Sequence, residues 1–278
     1  MAATDVMAQQ ALNMGGGDVL PRIASAAVLA PLALAVAYAG TPLFEGALAV
    51  IAGVLAWEWT SMCGSRRPAL IRALFTLTAV AAVFAAMVGA PFYAAAFIAA
   101  GAASSAVAEG GEHPLWMSAG AVYIALPLAA CEWLRVSGAF GREIVIWLLI
   151  VVWAADTVAY IFGRTIGGPK LAPSISPKKT WAGFAGAGVG AALAGAGSAY
   201  ALGLGDQLGM TGMAAILGLA GQGGDLMESA VKRHFGVKDA SQLIPGHGGL
   251  FDRMDALMAV FVIAACARLA GWQGGEPW

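Results

Sequence analysis

The sequence predicts an all-α integral membrane protein with about nine transmembrane helices. The 278 residues are 60% hydrophobic and only 11% charged, whereas a soluble domain carries about 25% charged residues. A water-soluble core of this size could not bury so much apolar surface. Apolar runs close to the ~20 residues that a helix needs to cross a bilayer also recur along the whole chain. Finally, the cations are distributed unevenly between the loops.

The predicted elements follow from the apolar runs in order. Residues 1–19 are polar and rich in glycine, and we expect them to form a flexible tail. The first run has no basic segment before it, which favours a retained helix over a cleaved signal peptide. We divide the remainder into N-terminal transmembrane helices, 20–140, and a C-terminal transmembrane catalytic region, 141–278. The nine runs lie at about 20–39, 43–63, 69–88, 91–108, 116–136, 143–163, 181–204, 208–231 and 254–272.

The cations test this count of nine. With nine crossings, twelve of the 15 lysines and arginines lie on the side of the N-terminus, and three (Arg135, Arg142 and Arg268) lie on the other. The positive-inside rule then places the N-terminus and the long basic loops in the cytoplasm. The twelve are Arg22, Arg66, Arg67, Arg72, Arg164, Lys170, Lys178, Lys179, Lys232, Arg233, Lys238 and Arg253. In the seventh run, Gly186 and Gly190 form a GxxxG step, which predicts close helix packing.

Residues 225–255 hold nine of the 31 charged side chains. Their acids include two pairs with a three-residue step, Asp225/Glu228 and Asp252/Asp255, and such a step places both members on one face of a helix. Carboxylates beside lysines and a flexible backbone suit a metal ion that holds phosphates. Each pair also has a structural explanation, either a helix end that meets water or an acidic helix N-terminus.

Two loops could add phosphate ligands. The turn 245–249 is rich in glycine, so its amides can point toward an anion, and His247 either orients a phosphate or only hydrogen-bonds the loop. The loop 163–180 supplies cations and hydroxyls on the same predicted face. Within the apolar runs, Asp156 is expected to face a polar interior, paired with Lys232 or a cation of this loop. Glu58 and Glu132 are interpreted as structural hydrogen-bonding groups.

Together these features indicate phosphoryl-group chemistry at a membrane. Oxygen ligands near water favour Mg²⁺, and the sequence leaves open whether a second cation accompanies it. A zinc site is not indicated, because no His/Cys cluster has ligand spacing. We find no P-loop, kinase loop or GxSxG motif. The net charge of −1 and the scattered cations give no indication of nucleic-acid binding.

The motifs resemble those of a known family. Ser229-x-x-Lys232-Arg233, Lys238-Asp239, the segment 244–249 and Asp252-Arg253-x-Asp255 are similar to the signature of phosphatidate cytidylyltransferases, also called CDP-diacylglycerol synthases. The segment 156–181 is similar to a second block of that family. The resemblance implies the reaction of CTP with phosphatidic acid to give CDP-diacylglycerol and diphosphate. It also implies a homodimer in the bacterial inner (plasma) membrane, with a metal-dependent active site on the cytoplasmic side.

The resemblance further implies roles for single residues. It makes Asp225 and Asp252 metal ligands, and their helix neighbours Glu228 and Asp255 complete the candidate metal set. The candidate catalytic residues are Lys178, Lys179, Lys232, Arg233, His247 and Arg253. The candidate substrate-binding residues are Asp156, Arg164, Lys170, Ser176, Thr180, Ser229, Lys238, Gly248 and Gly249.

Two other functions fit parts of the sequence. A membrane kinase that uses CTP, such as a polyprenol kinase, would share the basic loops and acids but would transfer the γ-phosphoryl group. A transporter would bind coupling ions at the midplane and often shows inverted repeats. The acids here cluster near one predicted face and no such repeat is apparent, which favours the cytidylyltransferase.

Overall fold

The computed structural model describes residues 19–111, 113–244 and 248–273, and these residues form nine helices and one short hairpin. Each predicted apolar run corresponds to one helix, and apart from Val19 the predicted tail lies outside the described residues. The helices are α1 (Val19–Ala39), α2 (Leu43–Cys63), α3 (Pro68–Met87), α4 (Pro91–Glu109), α5 (Pro114–Val136), α6 (Gly141–Thr165), α7 (Trp181–Ala201), α8 (Gln207–His234) and α9 (Phe251–Leu269). The hairpin pairs β1 (Lys170–Ala172) with β2 (Ser176–Thr180).

Local signals in the sequence explain many helix ends. Helices α3, α4 and α5 all begin with a proline, whose fixed φ and missing N–H suit the first helical position. Helix α2 is followed by Gly64 in the left-handed conformation, which glycine adopts without strain. Helix α7 begins after Thr180, whose hydroxyl accepts the N–H of Gly183 at 3.1 Å, so the threonine acts as an N-cap.

The membrane class of the fold is confirmed, but the number of crossings stays a prediction. Among the described residues, six helices, α2 to α7, are long and apolar enough to cross a bilayer. The apolar part of α1 is shorter, at Ala27–Ala39, and α8 and α9 carry most of the charged side chains of the candidate site. The chain is therefore an integral, all-α membrane protein with one small β-hairpin.

The helices pack in two groups, α2–α5 and α6–α8, and α9 lies against both, in contact with α5 and α8. Small residues allow the closest approaches within the second group. A Cβ atom on Gly186 would come within 2.8 Å of the Phe162 side chain, and one on Gly190 within 2.6 Å of Val158. The predicted role of this glycine pair in helix packing is thus confirmed.

The two ends of the bundle collect different loops. At one end, the start of α5 meets the end of α8, where the rings of Trp116 and His234 lie 4.8 Å apart. At the other end, Arg135 of α5 lies 3.8 Å from Glu45 at the start of α2. Alternating helices produce this separation, as the sequence predicts. Which end faces the cytoplasm stays a prediction.

Four helix ends lie three residues from their predicted positions, and one loop differs from the sequence prediction. The four are the end of α7, the end of α8 and both ends of α9. Helix α8 continues past its apolar run to His234, because Lys232 pairs with Asp252 of α9 and Arg233 donates to the Val237 carbonyl beyond the last turn. Helix α9 begins three residues early, at Phe251, because Glu58 of α2 accepts the amides of Leu250 and Phe251 and Asp252 accepts that of Gly249. The basic loop contains an antiparallel hairpin, with Lys170 opposite Thr180 and Ala172 opposite Ser176.

Candidate active site

The signature residues meet at the end of the bundle where α8 finishes and α9 begins. Helix α8 contributes one acidic face, α9 contributes the second pair of acids, and the segment 235–250 connects the two helices. Strand β2 brings a lysine from the basic loop to the same place. Three separate segments of the chain therefore meet in one cluster.

Asp252 is the most constrained acid of this cluster. Its Oδ1 lies 2.5 Å from the Lys232 ammonium, while its Oδ2 accepts the N–H groups of Ala240 at 3.0 Å and Gly249 at 2.8 Å. Lys232 also contacts Glu228 Oε1 at 2.8 Å. All three charged side chains are buried. Asp252 thus ties α8, the connecting segment and α9 together, besides any role toward a substrate.

Asp225 belongs to a more open part of the cluster. Its Oδ2 lies 2.7 Å from Lys179 of β2, and 32% of its side chain is exposed. Ser229 donates to Oδ1 at 3.3 Å. Lys179 also donates to the backbone carbonyl of Gln222 at 3.1 Å, and the Gln222 side chain donates to Asp156 Oδ1 at 2.9 Å. These bonds connect α6, β2 and α8 along one accessible surface.

The structure gives Asp156 a partner other than the one predicted first. Its hydrogen bond comes from Gln222, and not from Lys232. Lys179, a cation of the basic loop, is close enough for its charge to interact with Asp156, as is Arg253. The alternative expectation, a cation of that loop, is therefore the one that the structure supports.

The cluster carries more negative than positive charge. One oxygen of Asp255 accepts the N–H of the adjacent Ala256 at 2.7 Å. The Asp255 carboxyl group also lies close enough to interact electrostatically with Asp225 and Asp156. The cluster therefore contains five carboxylates and three cations, which is a formal excess of two negative charges. The five are Asp156, Asp225, Glu228, Asp252 and Asp255, and the three are Lys179, Lys232 and Arg253.

This charge balance fits a divalent cation. Within the described residues, Glu228 Oε2 is buried without a hydrogen-bond partner, which is costly unless a further ligand is added. No three histidine, cysteine, aspartate or glutamate side chains of the described residues form a ready-made ligand set. Mg²⁺ does not require one, because it usually takes one or two carboxylates plus substrate phosphates and water. The residues present therefore fit Mg²⁺ that arrives together with a nucleotide.

Most of the other predicted site residues have no recorded contact with these acids within the described part of the chain. Thr180 is an N-cap and Ser176 belongs to the hairpin. Arg233 donates to the Val237 carbonyl at 2.8 Å and closes the last turn of α8, and Arg164 donates to the Tyr160 hydroxyl at 2.8 Å. His247 lies outside the described residues. The remaining cations, Lys170, Lys178 and Lys238, are exposed. Gly249 donates its N–H to Asp252, and a Cβ atom on Gly248 would come within 2.9 Å of the Asp252 carboxylate.

Three residues of the site were not predicted as site residues. Gln222 links Asp156 to Lys179 through its side chain and backbone. Glu58 and Ser241 meet beside the Gly-rich turn, where the serine hydroxyl donates to Glu58 Oε1 at 2.5 Å. The signal available for Glu58 was its position as an acid within an apolar run, which marks a residue with a specific partner. For Gln222 and Ser241 the sequence offers no comparable signal.

Comparison with known proteins agrees with the site. The profile of the cytidylyltransferase family matches residues 20–269. A phosphatidate cytidylyltransferase of Brucella abortus is 34% identical over 257 residues, which cover 92% of this chain and 94% of that protein. One from Staphylococcus aureus is 42% identical over 121 residues, 43% of this chain and 46% of that protein. The chain therefore belongs to the cytidylyltransferase family and is a nucleotidyltransferase that uses CTP.

Proposed function

We propose that this protein is a phosphatidate cytidylyltransferase that makes CDP-diacylglycerol and diphosphate from CTP and phosphatidic acid. The observation that carries the proposal is the single cluster formed by Asp225, Lys179, Lys232 and Asp252 at one end of a membrane bundle. The relatives described above are named phosphatidate cytidylyltransferases, and the resemblance of the signature supports the same substrate.

In the proposed reaction, a phosphate oxygen of phosphatidic acid attacks the α-phosphorus of CTP. The bond from that phosphorus to the bridging oxygen breaks, and diphosphate leaves with the electron pair. Mg²⁺, when bound, neutralises phosphate charge and polarises the phosphoryl oxygens. Asp225 and Asp252 are the proposed ligands, with Glu228 and Asp255 beside them.

The cationic side chains have a second task, which is to hold two anions together. Lys179 lies at the open side of the cluster, where 15% of its side chain is exposed, so a phosphate can compete with Asp225 for its ammonium group. Lys170, Lys178 and Arg253 are exposed, and in this proposal they add positive charge where the two substrates approach the cluster. Pre-positioned charges of this kind lower the barrier most when they face the oxygens that gain charge in the transition state.

The membrane setting is also part of the proposal. We place the cluster at the cytoplasmic surface of the bacterial inner membrane, because the loops around it carry most of the cations. A homodimer is proposed from the resemblance alone. The lipid phosphate would then meet CTP at the headgroup level.

The test is a product analysis with the purified protein in detergent. Labelled CTP, phosphatidic acid and Mg²⁺ should yield a CDP-lipid and diphosphate. Formation of CDP and a newly phosphorylated lipid would instead identify a kinase. Chelation with EDTA should abolish turnover and added Mg²⁺ should restore it. Full turnover in EDTA would refute the metal requirement while leaving the reaction itself intact.

A further inference from the structure

Glu58, a glutamate of α2, lies against the start of α9. Its Oε2 accepts the N–H of Phe251 at 2.6 Å, and its Oε1 accepts the N–H of Leu250 at 2.9 Å and the hydroxyl of Ser241 at 2.5 Å. The side chain is fully buried. These partners lie 183 to 193 residues away along the chain, so this contact joins the N-terminal helices directly to the signature segment.

The surroundings explain how a carboxylate is stabilised at this position. Among the described residues, Glu58 forms no ion pair with a lysine or arginine, and its partners are two backbone amides and a hydroxyl. The first amides of a helix have no partners within the helix and carry partial positive charge. Glu58 supplies the acceptors that the start of α9 lacks, and charge-assisted bonds of this kind are short and strong.

Glu58 and Asp252 accept hydrogen bonds from neighbouring residues at two places in the connecting segment. Asp252 accepts the amide of Ala240 and Glu58 accepts the hydroxyl of Ser241. Asp252 also accepts the amide of Gly249, while Glu58 accepts the amide of Leu250. The two carboxylates therefore clamp the connecting segment to α9. Gly249 has no space for a side chain, because a Cβ atom would collide with Glu58 Oε1.

Aromatic packing fixes α2 in the position that this clamp requires. The rings of Trp59 and Phe251 lie 5.6 Å apart, and both rings contact Tyr123 of α5 at 5.6 and 5.4 Å. Trp59 also donates its indole N–H to the Trp116 carbonyl at 3.1 Å. A packed and hydrogen-bonded tryptophan beside Glu58 restricts where the carboxylate can lie.

We propose that Glu58 is a positioning residue of the active site, which sets the location of Asp252 by anchoring the connecting segment to α9. It acts through Asp252 and does not touch the substrate. The proposal rests on the proposed function of the 225–255 cluster. It gives the N-terminal helices a specific task, which is to deliver one buried acceptor group to the catalytic segment.

The first test compares Glu58→Gln with Glu45→Gln. Glu45 lies at the opposite end of α2, so its substitution makes the same chemical change away from the signature segment. Glutamine at position 58 keeps one carbonyl oxygen but replaces the other acceptor by an N–H₂ group. We expect kcat per folded enzyme to fall on the order of 10- to 100-fold, as for other residues that orient a ligand. Glu45→Gln should keep the kcat of the unmodified protein.

Hydrogen exchange gives a readout apart from turnover. In Glu58→Gln, the peptide that covers residues 248–254 should exchange faster, while peptides from α6 and α7 exchange at their usual rates. Local exchange unchanged from the unmodified protein, or a kcat unchanged at position 58, would overturn the proposal. A rise in exchange across all helices would also overturn it, because it would show a general structural role.

Ser241→Ala is the second variant, and it decides the matter if Glu58→Gln does not fold. It removes one of the three bonds to Glu58 and should give the same local change in exchange with a smaller loss of kcat. Unchanged exchange and kcat in Ser241→Ala would then overturn the proposal. Asp252→Asn, measured in parallel, separates the two hypotheses. Full activity in Asp252→Asn refutes the proposed site, whereas an inactive Asp252→Asn with a fully active Glu58→Gln refutes only the positioning role.

Discussion

At the scale of single residues, the two proposed metal ligands are held in different ways. Asp225 is partly exposed and pairs with Lys179 of another segment. Asp252 is buried, pairs with Lys232 and accepts two backbone amides. Loss of charge at an open pair has little effect on folding, whereas loss of charge at a buried, hydrogen-bonded carboxylate weakens contacts that water does not replace. Substitution of the two aspartates should therefore affect folding stability differently but should lower activity in both cases.

Asp225→Asn and Asp252→Asn should both lower CTP-dependent turnover by at least about 10²-fold. Asp225→Asn should keep its folding stability to within about 1 kcal/mol, while Asp252→Asn should lose about 1.5–3 kcal/mol, because its buried charge-assisted contacts are weakened although Glu228 still pairs with Lys232. Turnover and thermal unfolding in detergent measure both effects. Asp206→Asn is the control, since asparagine also suits its left-handed N-cap position. An active Asp225→Asn would contradict the proposed site.

Neighbouring lysines of the basic loop should differ in importance. Lys179 contacts Asp225 and the Gln222 carbonyl, whereas Lys178 is exposed and has no recorded polar contact within the described residues. Lys179→Met should therefore reduce kcat on the order of 10²-fold, and Lys178→Met should mainly raise KM. Steady-state kinetics with varied CTP distinguish the two effects. Equal losses for both variants would show that only total loop charge matters.

The sequence predicts part of this residue-level picture. Short spacings reveal Asp225, Glu228, Lys232 and Asp252, because residues three or four apart share a helix face. They do not reveal Glu58, whose partners are 183 to 193 residues away. No local pattern encodes a contact of that range. The roles assigned to the exposed cations, and to His247 outside the described residues, stay predictions.

At the scale of elements, the start of α9 is the point on which the site depends. Apolar runs locate α9 but place its start at residue 254, because an apolar run shows only the hydrophobic part of a helix and not the polar residues that cap it. The observed start at Phe251 depends on acceptors from α2 and from α9 itself. The hairpin β1–β2 was not predicted for a related reason, since strands of three and five residues are too short to show alternation.

Gly249→Ala should disturb this start. A Cβ atom would approach both Glu58 and Ser241 too closely, and such overpacking costs about 1–3 kcal/mol. We expect a lower melting temperature together with reduced kcat. Gly212→Ala is the matched control, because this glycine of α8 has open space around its Cβ position and alanine favours a helix by up to about 1 kcal/mol. An unchanged melting temperature and kcat in Gly249→Ala would show that Glu58 and Ser241 can move to make room for a methyl group.

At the scale of the whole molecule, the sequence predicts the fold well and the membrane topology incompletely. Hydropathy gives nine segments and the structure gives nine helices among its described residues, because a helix is the structure that satisfies every backbone amide in lipid. Six of those helices meet the length and apolarity for spanning. The two ends of the bundle separate as the cation distribution predicts.

Labelling of single cysteines tests the orientation. In a variant without the three native cysteines, a cysteine at Ser174 of the hairpin should react with an impermeant thiol reagent only from the cytoplasmic side. A cysteine at Ala139, between α5 and α6, should react only from the opposite side, because α6 separates the two positions. Both positions are exposed. Reaction of both from one side would contradict the predicted crossing of α6.

The length of α8 has a further consequence for how the lipid substrate is handled. Its 28 residues extend about 42 Å at 1.5 Å per residue, which exceeds the ~30 Å thickness of the hydrocarbon layer. If the start of α8 lies near the far boundary of that layer, its last two turns emerge among the phosphates of the near leaflet. Diacyl chains can then stay dissolved in the bilayer throughout turnover, and no step has to extract them into water.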